Sequence, residues 1–118
     1  MHLGLIGYGN IGRALVGLCT SPLVTQITVL VRRMPDAPAS SDIPLRFVAT
    51  LGALLQDAPD LVIECAGHAA VADHAVDVLA SGTDLVIASV GALADADLHT
   101  KLTAAATPAK LILPTGAV

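Results

Sequence analysis

The chain has 118 residues, of which 54% are hydrophobic and 14% charged, and its formal net charge is −4. Domains that bind nucleic acid are usually basic, so this charge argues against a nucleic-acid partner. No apolar stretch approaches the roughly 20 residues that a membrane-spanning helix needs, which argues against a membrane partner. The length allows one domain, whose core must be built from Val, Leu, Ile and Ala.

The first part of the chain predicts a strand, a helix and a second strand. Residues 3–6 form a short apolar run that indicates the first strand. Apolar residues at helical spacing predict a helix over roughly 10–20, namely Ile11, Ala14, Leu15 and Leu18. Residues 27–31 are rich in β-branched side chains and predict the second strand.

The middle of the chain begins with a loop. Residues 34–44 contain three prolines, which is typical of a loop. A third, marginal strand is predicted over 45–49, and a short helix near 50–57 follows it. The aliphatic run at 61–63 predicts the fourth strand.

The last part of the chain predicts two more helices and two more strands. The helices are indicated by apolar residues at helical spacing, namely Val71, Ala75, Val78 and Leu79 in the first and Leu98, Leu102 and Ala105 in the second. The strands are predicted over 85–90 and 111–113. Alternation of this kind with short connections is typical of an α/β doubly wound parallel sheet, the Rossmann fold. We therefore expect a three-layer αβα domain over residues 1–118 with strand order 3-2-1-4-5-6.

A glycine motif follows the first predicted strand. Gly7, Gly9 and Gly12 have the G-x-G-x-x-G spacing, between a strand and a helix, which is the context that a dinucleotide-binding motif requires. Gly7 would allow the tight turn, Gly9 the approach of a pyrophosphate, and Gly12 the close packing of the helix. The first-turn amides, including those of Asn10 and Ile11, would face the pyrophosphate. The alternative is a glycine-rich turn without a ligand.

The end of the second predicted strand bears on the choice of cofactor. An acidic residue about 20 positions after the glycines usually binds the ribose 2′-hydroxyl of NAD. Arg32 and Arg33 occupy this place. Together with Arg13 they make residues 1–35, which contain no acidic residue, a positive region that would suit a bound phosphate. A guanidinium can make paired hydrogen bonds to a 2′-phosphate, which favours NADP. Contacts to the sugar would still allow NAD, and two solvated arginines are the alternative.

The carboxyl ends of the later strands should complete the crevice. Ala66 and His68 follow the fourth strand and are candidate cofactor contacts, whereas His74 is expected to pack on its helix. Glu64 is expected to make a structural hydrogen bond to a neighbouring loop. No residue is assigned a catalytic or metal-binding role, because the chemistry would be the cofactor's. Cys19 and Cys65 are expected to be buried free thiols in a reducing cytoplasm.

Several segments of the chain resemble the L-aspartate dehydrogenase family. They are residues 61–66, His74-Ala75, residues 84–95 and the ending 113–118, which reads Leu-Pro-Thr-Gly-Ala-Val. Together with the glycine motif they cover nearly the whole chain. The ending is similar to the segment that leads, in this family, from the cofactor domain into the catalytic domain.

The resemblance implies oxidative deamination of L-aspartate with NAD or NADP. The product, iminoaspartate, hydrolyses to oxaloacetate and ammonia or feeds NAD biosynthesis. Ala117 matches a cofactor-contacting alanine of the family. The family's catalytic histidine lies in the domain that follows, so we expect a downstream catalytic domain, no turnover by this chain alone, and a homodimer for the intact protein.

Related families are alternatives. Sugar oxidoreductases of the glucose–fructose type share a helix histidine like His74, but they usually carry a Glu-Lys-Pro catalytic lysine where this chain has residues 88–90, Ala-Ser-Val. Homoserine dehydrogenase and dihydrodipicolinate reductase are also similar in topology. A non-catalytic nucleotide sensor is the alternative from another class, and it should be stable and dimeric alone.

Overall fold

Strands and helices alternate along the chain in a computed structural model, which describes residues 1–20, 22–35, 41–89, 96–105 and 109–112. The strands are β1 (His2–Ile6), β2 (Gln26–Leu30), β3 (Leu45–Val48), β4 (Leu61–Glu64), β5 (Asp84–Ile87) and β6 (Leu111–Ile112). The helices are α1 (Asn10–Leu18), α2 (Leu51–Gln56), α3 (His68–Ala80) and α4 (Ala96–Ala105). Within the described ranges, no helix is long and apolar enough to cross a membrane.

All six strands pair in parallel in one sheet of order β3-β2-β1-β4-β5-β6. The predicted Rossmann fold and strand order are therefore confirmed. The order reverses between β1 and β4, which lie side by side in the middle of the sheet. In open sheets of this kind ligands bind outside the carboxyl ends of the strands at this switch point.

Each face of the sheet has its own apolar core, because successive side chains of a strand point to opposite faces. Leu5 packs in the cluster beneath α1, together with Val16 of that helix. Ile6, the next residue, packs in the larger cluster with residues of α2, α3 and α4. One helix on one face and three on the other make the three layers that the sequence predicted.

Most of the apolar residues that predicted α1 do not face the sheet. Gly12 and Val16 are the buried residues of the helix, whereas Ile11 and Leu18 are 56% and 77% exposed. Ile11 and Leu18 lie seven residues apart and so share one helix face. The apolar spacing predicted the helix correctly, but it includes residues that point away from the core.

A polar network ties the amino ends of the strands together. The buried Thr28 hydroxyl donates to Asp57 Oδ2 at 3.0 Å and lies 2.7 Å from His2 Nε2. Arg46 Nη1 donates to Asp57 Oδ1 at 2.9 Å. These contacts link β1, β2 and β3 to the end of α2. They lie at the amino ends of the strands, whereas the glycine motif lies at the carboxyl ends.

Candidate functional site

The turn between β1 and α1 requires glycine at its first position. Gly7 has φ +104°, and its N–H donates to the Leu30 carbonyl at 2.9 Å. A Cβ at this position would lie 2.7 Å from the Ala66 Cβ. Both the backbone conformation and the close approach of the β4–α3 connection therefore exclude a side chain.

The other two glycines of the motif have different surroundings. A Cβ on Gly12 would lie 2.6 Å from the Gly7 carbonyl oxygen, so glycine at this position lets α1 start directly against the turn. A Cβ on Gly9 would have no atom of the described residues within 4 Å. The fold itself does not need a glycine at position 9, which leaves ligand approach as the physical reason for one.

The amino end of α1 is open to a ligand. Gly9 is the N-cap, no side chain within the described ranges caps the first turn, and the turn holds no acidic residue. Asn10 and Ile11 begin the helix and are exposed. Since the first amides of a helix have no intrahelical acceptor, they and the helix dipole favour an anion here.

A cleft of about 1100 Å³ opens beside this helix end at the carboxyl edge of the sheet. Its walls come from the β1–α1 turn, the stretch after β2, the start of α2, the β4–α3 connection and one face of α3. The volume is of the size expected for a small-molecule site. The cleft therefore lies where the fold predicts a ligand.

The cleft carries an excess of positive charge. Arg13, Arg32 and Arg33 line it, and Asp73 is the carboxylate among the described lining residues. None of the three arginines forms an ion pair with another described residue. Three unpaired guanidinium groups beside an open helix N-terminus favour a ligand with more than one anionic group.

One of these arginines, Arg13, stacks on an aromatic ring that itself contacts a second ring. The Arg13 Cζ lies 4.6 Å from the centre of the Tyr8 ring, over its face. The Tyr8 ring in turn meets Phe47 edge to face, with centroids 5.0 Å apart and an interplanar angle of 75°. The Tyr8 Oη is buried and has no hydrogen-bond partner in the part of the chain that the structure describes.

Glu64, the last residue of β4, fixes the connections that follow β4 and its neighbour β5. The side chain is fully buried, and its Oε2 accepts from the N–H groups of Ala66 and Gly67 at 2.8 and 2.7 Å. The same carboxylate accepts from Ser89, through the N–H and the hydroxyl, at 3.0 Å each. The expected structural role of Glu64 is confirmed, and it fixes the connections after two strands at once.

Cys65 lies against the glycine turn and lines the cleft. Its Sγ lies 3.4 Å from the Ile6 carbonyl oxygen and 3.5 Å from that of Gly7, and donates to both. Burial, with a smaller contribution from the negative charge of Glu64, raises the pKa of the Cys65 thiol to about 11. The thiol is therefore protonated near neutral pH and is a poor nucleophile. Both Cys65 and Cys19 are free, as predicted, but they are half-buried rather than buried.

The structure brings together only part of the predicted cofactor site. Gly7, Gly9, Arg32, Arg33 and Ala66 all line the cleft. Asn10, Ile11 and Gly12 form the adjoining first turn of α1 without lining it. His68 begins α3, is exposed, and is not among the residues that line the cleft. Ala117 lies outside the described residues.

Other lining residues were not predicted. His74 was expected to pack on its helix, but it is half-buried and lines the cleft beside Asp73. Tyr8 occupies a variable position of the glycine motif, and nothing in the motif points to it. Arg13 was not named as a cofactor contact, although it was counted in the positive region of residues 1–35 that would suit a phosphate.

Comparison with known proteins agrees with this geometry. The family described as "Homoserine dehydrogenase, NAD binding domain" matches residues 7–113. L-aspartate dehydrogenase 1 of Bordetella pertussis is 40% identical over all of this chain and 46% of its own length. L-aspartate dehydrogenase of Ralstonia nicotianae is 37% identical over 90% of this chain and 41% of its own. The chain thus spans about half the length of these curated relatives or less.

Solved structures show the same relationship. Aspartate dehydrogenase from Thermotoga maritima superposes with a TM-score of 0.82 at 26% identity, over 100% of this chain and 47% of that one. Homoserine dehydrogenase from S. aureus shares the fold, with a TM-score of 0.70 at 18% identity over 96% of this chain and 31% of that one. The predicted resemblance to L-aspartate dehydrogenases and the predicted NAD or NADP cofactor are both confirmed, and the names of the relatives imply a small-molecule substrate. The chain belongs to the family of homoserine dehydrogenase NAD-binding domains, and its curated relatives at 36–40% identity are L-aspartate dehydrogenases.

Proposed function

We propose that this chain binds NAD or NADP for an L-aspartate dehydrogenase. The observation that carries the proposal is the cleft that joins the open end of α1 to three unpaired arginines, in a chain 40% identical to an L-aspartate dehydrogenase. In the proposed reaction, L-aspartate loses a hydride and a proton to give iminoaspartate, which hydrolyses to oxaloacetate and ammonia. The nicotinamide supplies the hydride acceptor when the cofactor is bound.

Each part of the proposed site has a distinct role toward the cofactor. The first-turn amides of Asn10, Ile11 and Gly12 bind the pyrophosphate, and Gly9 gives it room. Arg32 and Arg33 bind the 2′-phosphate of NADP. Ala66 contacts the cofactor from the β4–α3 connection. His68, which begins α3 outside the lining of the cleft, is kept as a further contact, and the family resemblance adds Ala117.

The groups that hold and deprotonate aspartate belong, in this proposal, to a further domain. Two observations support it: the relatives are about twice as long as this chain, and three large apolar side chains near α1 are more than half exposed, namely Ile11, Leu18 and Leu23. Hydride transfer needs the substrate enclosed against the nicotinamide, away from water. A homodimer of the intact protein and a cytoplasmic location, the latter suggested by two free cysteines, belong to the same proposal.

Titration calorimetry of the 118-residue chain with NADP⁺ and with NAD⁺ tests the cofactor site. Replacing Arg32 and Arg33 together by alanine should weaken NADP⁺ binding by about 1–3 kcal/mol, the range for hydrogen bonds to charged groups, and leave NAD⁺ binding nearly unchanged. Replacing Lys101 and Lys110 together by alanine, at exposed positions outside the cleft, is the control with the same loss of two charges. If the variant lost equal affinity for both cofactors, the arginines would not bind the 2′-phosphate and would attract either cofactor only through their charge.

The substrate is tested by following the absorbance of reduced cofactor with L-aspartate. The 118-residue chain should be inactive, and a longer protein that contains a second domain should oxidise L-aspartate. Turnover by the 118-residue chain would contradict the proposal that a further domain supplies the groups that hold and deprotonate aspartate.

Homoserine oxidation is the second candidate function. It is favoured by the family description and by the structural similarity to homoserine dehydrogenase, although at 18% identity the latter concerns the fold alone. L-homoserine in the same assay distinguishes the two. If a longer protein oxidised L-homoserine but not L-aspartate, the proposed function would be wrong and homoserine oxidation would replace it.

A further inference from the structure

Arg13 was not among the predicted cofactor contacts, yet it is the arginine of the cleft with a defined support. Its guanidinium lies over the Tyr8 ring face, 4.6 Å from the ring centre. An exposed arginine samples many rotamers, and fixing it costs conformational entropy on binding. Stacking on an aromatic face restricts the side chain beforehand, and the attraction between cation and ring adds to this. Arg13 is therefore pre-positioned before any ligand arrives.

The position of the ring indicates which part of a ligand Arg13 meets. Tyr8 follows β1, and its ring reaches Phe47 of β3. Since β2 lies between β1 and β3 in the sheet, the Tyr8 and Phe47 side chains together span β2. The chain continues from β2 through Val31 into Arg32 and Arg33, which line the same cleft.

The place of Arg13 within the helix separates it from the pyrophosphate site. Its own N–H donates to the Gly9 carbonyl at 2.9 Å, so its backbone is already paired inside α1. The free amides of the first turn belong to the residues before it. Only its side chain is available to a ligand, and that side chain is held toward the β2–β3 side by Tyr8.

We propose that Arg13, held on the Tyr8 ring, is a specificity-determining residue that joins Arg32 and Arg33 in binding the 2′-phosphate of NADP. The proposal rests on the proposed function of the cleft and adds a third guanidinium to it. A phosphate monoester carries close to two negative charges near neutral pH and three acceptor oxygens, which three guanidinium groups can serve together. The ring, not the hydroxyl, does the positioning, because Oη is buried without a partner in the described part of the chain.

The experiment compares two small probes, 2′-AMP and 5′-AMP, which differ only in where the phosphate is attached. Their affinities for the 118-residue chain are measured by titration calorimetry, and those of NADP⁺ and NAD⁺ are measured alongside. Arg13→Ala should weaken 2′-AMP and NADP⁺ by roughly 10- to 100-fold, as for the loss of hydrogen bonds to a charged group, and leave 5′-AMP almost unchanged. Arg13→Lys, which keeps the charge and loses the planar fork, should restore part of the loss.

Two variants of Tyr8 test the support itself. Tyr8→Leu removes the ring and should lower 2′-AMP affinity in the same direction as Arg13→Ala. Tyr8→Phe keeps the ring face and should behave as the parent chain. In the double variant Arg13→Ala, Tyr8→Leu the two losses should not add, since both remove one interaction. Tyr8 is the single tyrosine of a chain without tryptophan, so its near-ultraviolet circular dichroism reports the stacking directly and should change in Arg13→Ala without ligand.

The outcomes separate this inference from the proposed function. Equal weakening of 2′-AMP and 5′-AMP by Arg13→Ala would place Arg13 at a general anion site and overturn its role in specificity. Loss of 2′-AMP affinity in Arg13→Ala but not in Tyr8→Leu would overturn the role of the ring. If Arg32 and Arg33 affect NADP⁺ and Arg13 does not, the inference alone fails. If the parent chain binds neither dinucleotide, the proposed function fails and this inference with it.

Discussion

Glu64 holds Ser89 through two hydrogen bonds, from the backbone N–H and from the hydroxyl, both at 3.0 Å. The same buried carboxylate accepts from the N–H groups of Ala66 and Gly67. One side chain thus sets the backbone after β4, which lines the cleft at Ala66, and the backbone after the neighbouring β5. This arrangement makes the geometry of the cofactor cleft depend on a residue that does not line it.

Glu64→Gln should therefore destabilise the fold and weaken dinucleotide binding together. Both carboxylate oxygens accept from backbone N–H groups, so an amide in either orientation points its NH₂ at a donor. Each backbone donor left unpaired in the interior costs about 1–3 kcal/mol. Urea unfolding and NADP⁺ titration measure the two effects. Ser89→Ala, which removes only the hydroxyl bond, is the control and should cost less; a Glu64→Gln variant as stable as the parent would contradict the assignment.

A second prediction separates the fold from the ligand within the glycine motif. A Cβ at position 9 meets no described atom within 4 Å, whereas one at position 12 would lie 2.6 Å from the Gly7 carbonyl oxygen. Gly9→Val should keep a folded chain, with at most a small loss at the helix cap, and lose dinucleotide affinity by about 100-fold or more, since several charge-assisted hydrogen bonds are lost. Gly12→Ala should instead lower the melting temperature. If Gly9→Val bound NADP⁺ as tightly as the parent, the pyrophosphate would lie elsewhere.

The sequence predicted the order and type of the elements because the strands are buried aliphatic runs that repeat at regular intervals. The ends of strands were less predictable where a side chain, instead of a neighbouring strand, accepts the hydrogen bond of a backbone N–H. The fifth strand was expected over 85–90, whereas β5 spans Asp84–Ile87. The Ser89 N–H donates to the Glu64 carboxylate and so is not available to a neighbouring strand, and position 90 lies outside the described residues. That hydrogen bond joins residues 25 positions apart and leaves no local signal.

The site was predictable to the extent that it depends on spacing. The glycine turn and the arginines after β2 follow from fixed distances along the chain. The stacking of Arg13 on Tyr8 and the approach of His74 to the cleft depend on how α1 and α3 rotate against the sheet. For α1 that rotation is set by the buried Gly12 and Val16, and it leaves two apolar residues of the helix outside, which the apolar spacing alone did not reveal.

A third prediction concerns the pH dependence of Cys65. Its pKa is raised to about 11, mainly by burial, so the reactive thiolate is scarce until the pH approaches that value. In a Cys19→Ser chain, where Cys65 is the one cysteine left, alkylation should quicken by about tenfold per pH unit and show no plateau between about pH 8 and pH 10. Since Cys65 lines the cleft, NADP⁺ should slow the reaction further. A plateau near the ordinary pKa of a thiol would contradict the burial.

The last prediction tests whether a second domain covers α1. Leu18 and Leu23 are 77% and 75% exposed, so they contribute little to the stability of the 118-residue chain. Replacing both by glutamine should change its unfolding free energy by less than about 0.5 kcal/mol, because changes at exposed surface positions are usually this small. At Leu18, the last residue of α1, glutamine is also as good a helix former as leucine.

In a longer protein that contains a catalytic domain packed on this face, the same double change would bury two amides without partners. We then expect a loss of about 1–3 kcal/mol for each buried amide that is left unsatisfied, together with weaker docking of the two domains. The control is Leu54→Gln at a fully buried site, which should cost at least about 2 kcal/mol in both proteins. Thermal and urea unfolding of the four chains give the comparison. If the double change is neutral in the longer protein as well, the exposed leucines are ordinary surface residues, and the second domain must contact the sheet elsewhere.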